Sequence, residues 1–365
     1  MKHASLTPPA TNELELSVFG PGYGECAVMH LGNGNWLVVD SCNNEEGGIP
    51  VALEYLEQIG VDAATAVKLV IATHWHLDHT RGLAAVVQAC SAARFACSAA
   101  LASREFITLL QVSKAMSFVD GSSGVSEFLR ILEVLRKRSG QADAAPDDYA
   151  LAGMILYRSD SVEVRSLSPS SHTMSSALST IARLIPSNGQ PIRRFPRVEP
   201  NDLSVVLQVS SGAVSFLLGG DLEACSDRRR GWGAVIESPI RSKDKCCSYK
   251  VAHHGSPNAD APEIWSELLV DGPTAIVTPF ELGSVSLPTA ADVKRIIASS
   301  RSAYCTSQKA TRSPSKRDTV DKIMNDVALT RRVYRRLPGH VRVRVELGGP
   351  HEDQRIEVFA GAQKL

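Results

Sequence analysis

Residues 74–79 read His-Trp-His-Leu-Asp-His and place three imidazoles and one carboxylate within six positions. Imidazole nitrogens and carboxylate oxygens are ligands that Zn²⁺ and similar divalent ions take from proteins. In an extended segment His74 and His76 point to the same side, so both can face one ion, whereas Asp78 and His79 can face another. A lone histidine is usually an ordinary core or surface side chain, but a cluster this dense predicts a metal site.

The loop lies between elements that can position it. An almost wholly apolar run at residues 68–73 predicts a buried strand that leads directly into His74, and residues 81–90 predict a helix beyond the loop. Catalytic groups in α/β sheets gather in such loops at strand ends. Further strands are predicted at residues 14–19, 26–30, 36–39, 162–167, 203–209, 214–218, 249–252 and 274–278, and further helices near residues 49–59, 106–118, 125–138, 262–269 and 290–298.

Hairpin strands and parallel strand–helix units both occur in this order. The combination favours an α/β fold in which two sheets are enclosed by helices, a four-layer αββα sandwich, over a doubly wound sheet. We expect a single domain over residues 1–365, with a helical insertion at residues 102–155 and a Ser-rich loop or flap at residues 168–200. Residues 307–365 are predicted to form a basic C-terminal extension that ends in a β-hairpin.

The histidine loop has the HxHxDH pattern of the metallo-β-lactamase superfamily, which this chain resembles from about residue 14 to residue 306. Within the superfamily the pattern is most similar to the soluble hydrolase domain of the DNA-uptake protein ComEC. The shared motifs are Gly-Tyr-Gly-Glu at 22–25, Asn-Asp-Leu-Ser at 201–204, Gly-Gly-Asp at 219–221, His-His-Gly-Ser at 253–256, Leu-Pro-Thr-Ala-Ala-Asp-Val at 287–293 and Ala-Tyr-Cys-Thr at 303–306. The membrane channel and oligonucleotide-binding domain of full-length ComEC have no counterpart here, so a role in DNA uptake is not carried over.

The resemblance implies two divalent metal ions, with Zn²⁺ the first expectation and Mn²⁺ the alternative. Asp221 would bridge the ions, and His253 would complete the second ion's ligands, with His254 as the alternative. The implied metal ligands are His74, His76, Asp78, His79, Asp221 and His253. Asp78 and His254 are the implied catalytic residues, His254 as a candidate proton donor. Supporting or substrate-contacting positions are Asp40, which would orient the loop from below, and Asn201, Asp202, Ser204 and Ser256.

Two positions depart from the family pattern. Glu25 stands where ComEC-type domains usually have an aspartate, which keeps a carboxylate but lengthens its reach. No histidine stands where ordinary superfamily members supply the third ligand of the first ion, a gap that ComEC-type domains share, and Asn201 or Asp202 occupies that position. The first ion would therefore be open, more weakly bound, or completed by Asp202 or by a substrate oxygen.

A dinuclear centre can generate hydroxide near neutral pH, so the sequence predicts a hydrolase without an organic cofactor. The metal site alone does not distinguish a carbon centre from phosphorus. The resemblance points to phosphodiesters, and hence to a nuclease or phosphodiesterase. The alternatives are hydrolysis of a small ester or lactone, and a non-catalytic metal-binding module within a larger complex.

Charge is informative only locally, because Lys plus Arg and Asp plus Glu are equal at 39 each. Residues 301–344 hold twelve Lys or Arg against three acidic residues, which fits either phosphate-backbone binding or a solvated face. The candidate nucleic-acid contacts are Arg193, Arg194, Arg228, Arg229, Arg331, Arg332, Arg335 and Arg336. With no apolar run long enough to span a bilayer and eight scattered cysteines, we expect a cytoplasmic protein with free thiols, nucleic acid as a partner, protein partners as an open alternative and no membrane contact.

Overall fold

The computed structural model describes residues 6–44, 48–115, 124–141, 145–183, 185, 200–307, 339–359 and 361–365. In its first half the chain forms strands β1 (Glu13–Phe19), β2 (Cys26–Leu31), β3 (Trp36–Val39), β4 (Val67–Ala72), β5 (Arg94–Ser98), β6 (Asp148–Ala150), β7 (Ile155–Arg158) and β8 (Glu163–Ser166). In its second half it forms β9 (Leu207–Ser211), β10 (Val214–Leu218), β11 (Cys246–Lys250), β12 (Leu269–Val277), β13 (Phe280–Leu282), β14 (Val285–Leu287), β15 (Ser302–Cys305), β16 (His340–Glu346), β17 (Arg355–Val358) and β18 (Gln363–Lys364).

The strands build two large sheets and one small hairpin. The first sheet has the order β17-β16-β1-β2-β3-β4-β5-β6, the second has the order β18-β15-β12-β11-β10-β9-β8-β7, and β13 pairs with β14 alone. In the first sheet β1 to β3 are antiparallel and β3 to β6 are parallel. In the second sheet β9 and β10 are antiparallel, whereas β10, β11, β12 and β15 are parallel. Each sheet therefore joins hairpins to parallel units, as the sequence predicts.

Helices cover the outer faces of both sheets. They are α1 (Val51–Gln58), α2 (Ala63–Ala66), α3 (Leu77–Thr80), α4 (Leu83–Ala89), α5 (Arg104–Ala115), α6 (Gly124–Ser139), α7 (Ser171–Ala182), α8 (Gly231–Ile236) and α9 (Ala290–Ala298). One apolar cluster joins α1, α4 and α6 to the first sheet, a second fills the space between the sheets, and a third joins α8 and α9 to the second sheet. The fold is the predicted αββα sandwich.

The alternation of side chains along a strand explains how one strand contributes to two apolar clusters. In β3, Trp36 and Val38 pack on the helix side, while Leu37 and Val39 pack between the sheets. Successive side chains of a strand point to opposite faces, so a strand that is covered on both sides reads as a continuous apolar run. No helix in the described part of the chain is both long and apolar enough to cross a bilayer.

The Ser-rich segment differs from the sequence prediction. The expected loop or flap at residues 168–200 includes the helix α7. The Ser170 side chain caps this helix by accepting a hydrogen bond from Thr173 N at 3.1 Å, and Thr173, Ala177 and Ile181 are its buried positions. Serine content suggested a loop, but an N-cap and a buried i, i+4, i+8 stripe are enough for a helix.

The C-terminal strands β16 and β17 are part of the first sheet. All seven residues of β16 pair with β1, from Glu13 opposite Glu346 to Phe19 opposite His340. β17 pairs with β16 in an antiparallel arrangement, whereas β18 joins the second sheet beside β15. The candidate nucleic-acid residues Arg193, Arg194, Arg331, Arg332, Arg335 and Arg336 lie outside the described residues.

A buried polar network connects β1 to β16. The fully buried carboxylate of Glu15 accepts hydrogen bonds from Ser17 Oγ at 2.9 Å, Tyr55 Oη at 2.6 Å and Arg344 Nε at 2.6 Å. Removing one partner of such a pair leaves the other charge buried without compensation, which costs much more than losing an exposed pair. The network therefore stabilises the position of the C-terminal strand.

Replacing Glu15 with Ala is expected to lower the free energy of unfolding by about 3–5 kcal/mol, because Arg344 would stay buried without its carboxylate. Urea unfolding at constant pH measures the change. The matched control is Glu13→Ala, which removes the partner of the 63% exposed Arg355 and should cost about 1 kcal/mol or less. Equal losses in the two variants would contradict this view of the network.

Candidate metal centre

Three strand ends from the two sheets converge at one edge of the sandwich. β4 ends at Ala72 and is followed by the histidine loop, whose last residues form the short helix α3. In the other sheet, parallel strands β10 and β11 end just before Asp221 and His253, respectively. Because the loop and these strand ends face each other, side chains that are 176 residues apart in the sequence come within contact distance.

Four side chains form a compact group that we call the second donor set: Asp78, His79, Asp221 and His254. His79 Nε2 lies 3.6 Å from Asp78 Oδ2 and 3.2 Å from Asp221 Oδ2. His254 Nε2 lies 3.2 Å from Asp78 Oδ2 and 3.8 Å from Asp221 Oδ2. Donor atoms around a tetrahedral Zn²⁺ are about 3.3 Å apart, given bonds of about 2.0–2.1 Å. These spacings fit one divalent ion.

A smaller group, the first donor set, consists of His74, His76 and the same Asp221. One donor atom from each of the three lies within 4.8 Å of the others. His74 Nε2 is 3.1 Å from His76 Nδ1 and 3.9 Å from Asp221 Oδ2. Asp221 thus belongs to both sets, which is the arrangement of a carboxylate between two ions.

Two polar atoms at the centre lack a hydrogen-bond partner among the described residues. His79 Nε2 and Asp221 Oδ1 are buried without a hydrogen bond from any described residue. Buried polar atoms without partners are rare, and each calls for an explanation. Two atoms of metal-ligand type that point into one group fit a divalent cation, and the imidazole and carboxylate donors suit Zn²⁺ or Mn²⁺.

Asp40 lies beneath the loop and fixes its orientation. Its carboxylate accepts hydrogen bonds from Thr73 N and Thr73 Oγ1, both at 2.7 Å, and its Oδ2 lies 2.8 Å from His79 Nδ1. An oxygen that binds Nδ1 keeps the lone pair of the imidazole on Nε2, where it would be free to bind an ion. The φ angle of 58° at Asp40 is left-handed, a strained conformation that turns the chain under the loop.

Glu25 and Lys250 form a buried ion pair behind the second donor set, and sequence reasoning missed Lys250. The Lys250 ammonium contacts Glu25 Oε1, while Glu25 Oε2 accepts a hydrogen bond from Thr278 Oγ1. Glu25 also lies within 4.8 Å of the donors, but both of its oxygens already have protein partners. The available signal was a lysine at the end of the otherwise buried strand β11.

The buried carboxylates determine the charge of this site. Burial would lower the pKa of His79, but the nearby carboxylates, led by Asp221, outweigh it and raise that pKa well above its usual value. The same competition raises the pKa of His254. Burial would raise the pKa of Asp221, but His79 and His254 hold it well below its usual value. The site therefore attracts positive charge, either as protons on histidines or as metal ions.

The structure brings His254, the alternative at sequence level, into the second donor set instead of the preferred His253. His254 is buried, and its Nδ1 lies 3.1 Å from the Thr278 carbonyl oxygen. His253 lies on the other side of Asp221, with its Nε2 4.0 Å from Asp221 Oδ2 and its Nδ1 3.2 Å from Glu223 Oε1. Both residues have left-handed φ angles, 46° and 55°, which send adjacent side chains in different directions.

The supporting positions are divided between the two sides of the centre. Ser204 Oγ accepts a hydrogen bond from Asp221 N at 2.9 Å, and Ser256 N donates one to the His253 carbonyl at 2.9 Å. Asn201 Nδ2 donates to Glu223 Oε1 at 2.8 Å, and Asp202 pairs with Arg230. Of the described arginine candidates, Arg228 pairs with Glu237 and Glu263, and Arg229 pairs with Asp227.

A cleft of about 320 Å³ opens onto the donor sets. Its outer wall is the β13–β14 hairpin, from which Leu282 and Val285 are about half exposed. Near its base the rings of Tyr23 and Phe280 have centroids 5.6 Å apart, and the Arg81 guanidinium lies 5.1 Å from the centroid of the Tyr23 ring. The cleft therefore offers an aromatic and apolar wall opposite a charged base.

Residues 19–115 match the sequence model of a family described as the metallo-beta-lactamase superfamily. This stretch contains Asp40 and the entire histidine loop, so the match supports the predicted superfamily resemblance over these residues. No curated protein matches the sequence.

Solved structures similar to this chain include the metallo-beta-lactamase fold protein YhfI from Bacillus subtilis, with 10% identity, a TM-score of 0.38, and coverage of 78% of this chain and 91% of that one. Another is Zn(2+)-bound PqqB from Methylobacterium extorquens, with 10% identity, a TM-score of 0.30 and 67% coverage of each chain. A third is metallo-beta-lactamase SMB-1, with 14% identity, a TM-score of 0.33, and coverage of 68% of this chain and 82% of that one.

Metal affinity is expected to rise with pH through and above neutrality. A histidine must be neutral to bind an ion, so the raised pKa values of His79 and His254 make protons compete at a higher pH than ordinary histidines allow. The affinity should change by about tenfold per pH unit for each displaced proton. Zn²⁺ titrations against a chromophoric chelator between about pH 6.5 and 8.5 measure it. A constant affinity above about pH 7 would show that neither histidine holds a displaceable proton.

Proposed function

We propose that this chain is a metal-dependent hydrolase of phosphodiesters, a nuclease or phosphodiesterase similar to ComEC-type hydrolase domains. The observation that carries the proposal is the pair of donor sets that share the Asp221 carboxylate at the base of an open cleft. Two divalent cations held this way lower the pKa of water and stabilise charge on an attacked phosphoryl group and its leaving oxygen.

Different residues would hold the two ions. Asp78, His79 and His254 would hold the inner one, and Asp40 fixes the His79 ring. His254 is also a proton-donor candidate, but its two nitrogens face Thr278 and Asp78, which favours its use as a ligand. His74 and His76 hold the outer side, and the pKa of His74 is lowered by its burial and by His79, so it is neutral and ready to bind metal.

Two features favour a phosphodiester over a carboxylic ester. The order of motifs along the sequence is that of ComEC-type domains. The residues just before and after the basic segment 308–338 also lie near the site. Gly339 packs on the Thr306 carbonyl, and Thr306 Oγ1 donates a hydrogen bond to the Gly20 carbonyl at 3.0 Å. Gly20 in turn packs against Thr278, which contacts His254. Nine Lys or Arg residues in that segment would raise the local concentration of a polyanion.

A small ester or lactone is the second candidate substrate. The cleft volume of about 320 Å³ and the exposed Leu282 and Val285 suit a compact apolar molecule. Both candidates need the same donor sets, so the substrate panel must contain both kinds of bond. A third alternative, a metal-binding module without activity, predicts metal-loaded protein that turns over neither.

The metal-loaded protein is expected to cleave bis-p-nitrophenyl phosphate together with DNA or RNA, and to lose this activity on treatment with EDTA. Re-addition of Zn²⁺ or Mn²⁺ should restore it. Asp78→Asn should reduce kcat/KM by at least about 100-fold, because it weakens a donor of the second set. Cleavage of nucleic acid should fall steeply between about 50 and 200 mM salt if the basic segment contributes.

Asp271→Asn is the control, since Asp271 is exposed and far from the donor sets in the fold. It should retain wild-type rates on every substrate. Turnover of p-nitrophenyl acetate or a lactone without any phosphodiester cleavage would replace the proposal with the second candidate, and inert metal-loaded protein would replace it with the third.

A further inference from the structure

The first donor set is one protein donor short of the second. His74, His76 and Asp221 supply three atoms, whereas four residues surround the second position. Asp202, which the sequence suggested as a possible further ligand of the first ion, forms an ion pair with Arg230. A closed tetrahedral site needs a fourth donor.

His253 lies next to Asp221 on the cleft that His76 also lines. Its Nε2 is 4.0 Å from Asp221 Oδ2, which nearly equals the 3.9 Å from His74 Nε2 to the same oxygen. The ring is 20% exposed and lines the cleft together with His76. His253 lies outside the group whose donor atoms are all within 4.8 Å of one another, so its Nε2 would have to move by about 1.5 Å or more to reach the spacing of about 3.3 Å between tetrahedral donors.

The surroundings of His253 orient its ring, and the Asn201 Nδ2 that lies 3.4 Å from Nε2 is a long contact that a cation would replace. The other ring nitrogen, Nδ1, lies 3.2 Å from Glu223 Oε1, just as His79 Nδ1 lies 2.8 Å from Asp40 Oδ2. A carboxylate at Nδ1 selects the tautomer with a lone pair on Nε2 and orients the ring. Glu223 is itself held by Asn201 Nδ2 at 2.8 Å.

Two atoms show that protein contacts alone do not satisfy this arrangement. His253 Nδ1 and Asn201 Oδ1 are buried and have no hydrogen-bond partner in the described part of the chain. Glu223 Oε1, 3.2 Å from Nδ1, is the acceptor that a reoriented His253 ring would use.

The backbone is strained at His253 and His254. Left-handed φ angles of 46° at His253 and 55° at His254 cost of order 1 kcal/mol or more each. His253 N donates to the Gly220 carbonyl at 2.9 Å, which ties the turn to the residue before Asp221. The consequence is that adjacent histidines lie on opposite sides of one bridging carboxylate. Strain of this kind is typical of functional sites.

We propose that His253 is the fourth protein donor of the first ion and that Glu223 is the positioning residue that holds its ring. The pair His253–His254 then supplies one ligand to each ion. The inference rests on the proposed function only in requiring two cations at this site, and it holds whichever bond the enzyme hydrolyses.

Metal binding to apoprotein tests this directly, with Zn²⁺ and Mn²⁺ as the probes and a chromophoric chelator as the competitor. Wild-type protein should bind two ions. His253→Ala should weaken one binding step by about 100-fold or more, and Glu223→Gln should weaken the same step by about 10–100-fold. His254→Ala should weaken the other step. Absorption spectra of Co²⁺-loaded protein should change in the His253→Ala and Glu223→Gln variants.

The matched controls are His351→Ala and Glu352→Gln, which alter a surface histidine–carboxylate pair 3.4 Å apart. Both controls should bind two ions with wild-type affinity. Glu223→Gln preserves the shape of the side chain, so it remains informative if His253→Ala folds poorly. Two ions of unchanged affinity in His253→Ala, loss of the same step in His253→Ala and His254→Ala, or only one ion in wild type would overturn the proposal.

The two proposals fail in different ways. Wild-type protein that binds two ions and cleaves no phosphodiester refutes the proposed function, while the predicted loss of one ion in His253→Ala would still support the ligand assignment. Phosphodiester cleavage by a His253→Ala protein that keeps both ions refutes the ligand assignment alone.

Discussion

The buried carboxylate of Asp221 is the group on which the arrangement of this site depends. Only 2% of the residue is exposed, and an isolated charge in such a position would be very costly. Its Oδ2 lies within 4.0 Å of ring nitrogens of His74, His79, His253 and His254, so the charge is shared among rings from both sheets. A pair of divalent cations meets the same electrostatic demand without protonating the histidines.

The backbone before Asp221 tolerates few residue types other than glycine. A side chain at Gly219 would meet Ala252 atoms at 2.8–3.0 Å, and Gly220 has a φ angle of +51° with Ser204 Oγ 2.5 Å from the position of a Cβ. Only glycine allows β10 and β11 to approach this closely and turn this sharply. The same close approach brings His253 N onto the Gly220 carbonyl. The geometry of the metal centre is therefore built into the ends of two adjacent parallel strands.

The sequence predicted the features that depend on local residue patterns, namely strands and the metal-binding loop. Apolar runs predicted about half of the strands in the described part of the chain, and the density of ligands at residues 74–79 identified the loop that the structure brings against Asp221. What it could not resolve depends on backbone dihedral angles and on distant contacts. Two adjacent histidines are indistinguishable until the left-handed turn at residues 253–254 shows that they diverge, and Lys250 is meaningful only beside Glu25. The helix α7 was missed because its serines hid a narrow buried stripe.

Anomalous X-ray diffraction from crystals of the metal-loaded protein, collected at the Zn or Mn absorption edge, tests the central claim most directly. The account predicts two peaks about 3.5–4 Å apart, one on each side of the Asp221 carboxylate. The peak on one side should be surrounded by Asp78, His79 and His254, and the other by His74 and His76. A single peak, or peaks remote from Asp221, would contradict the account.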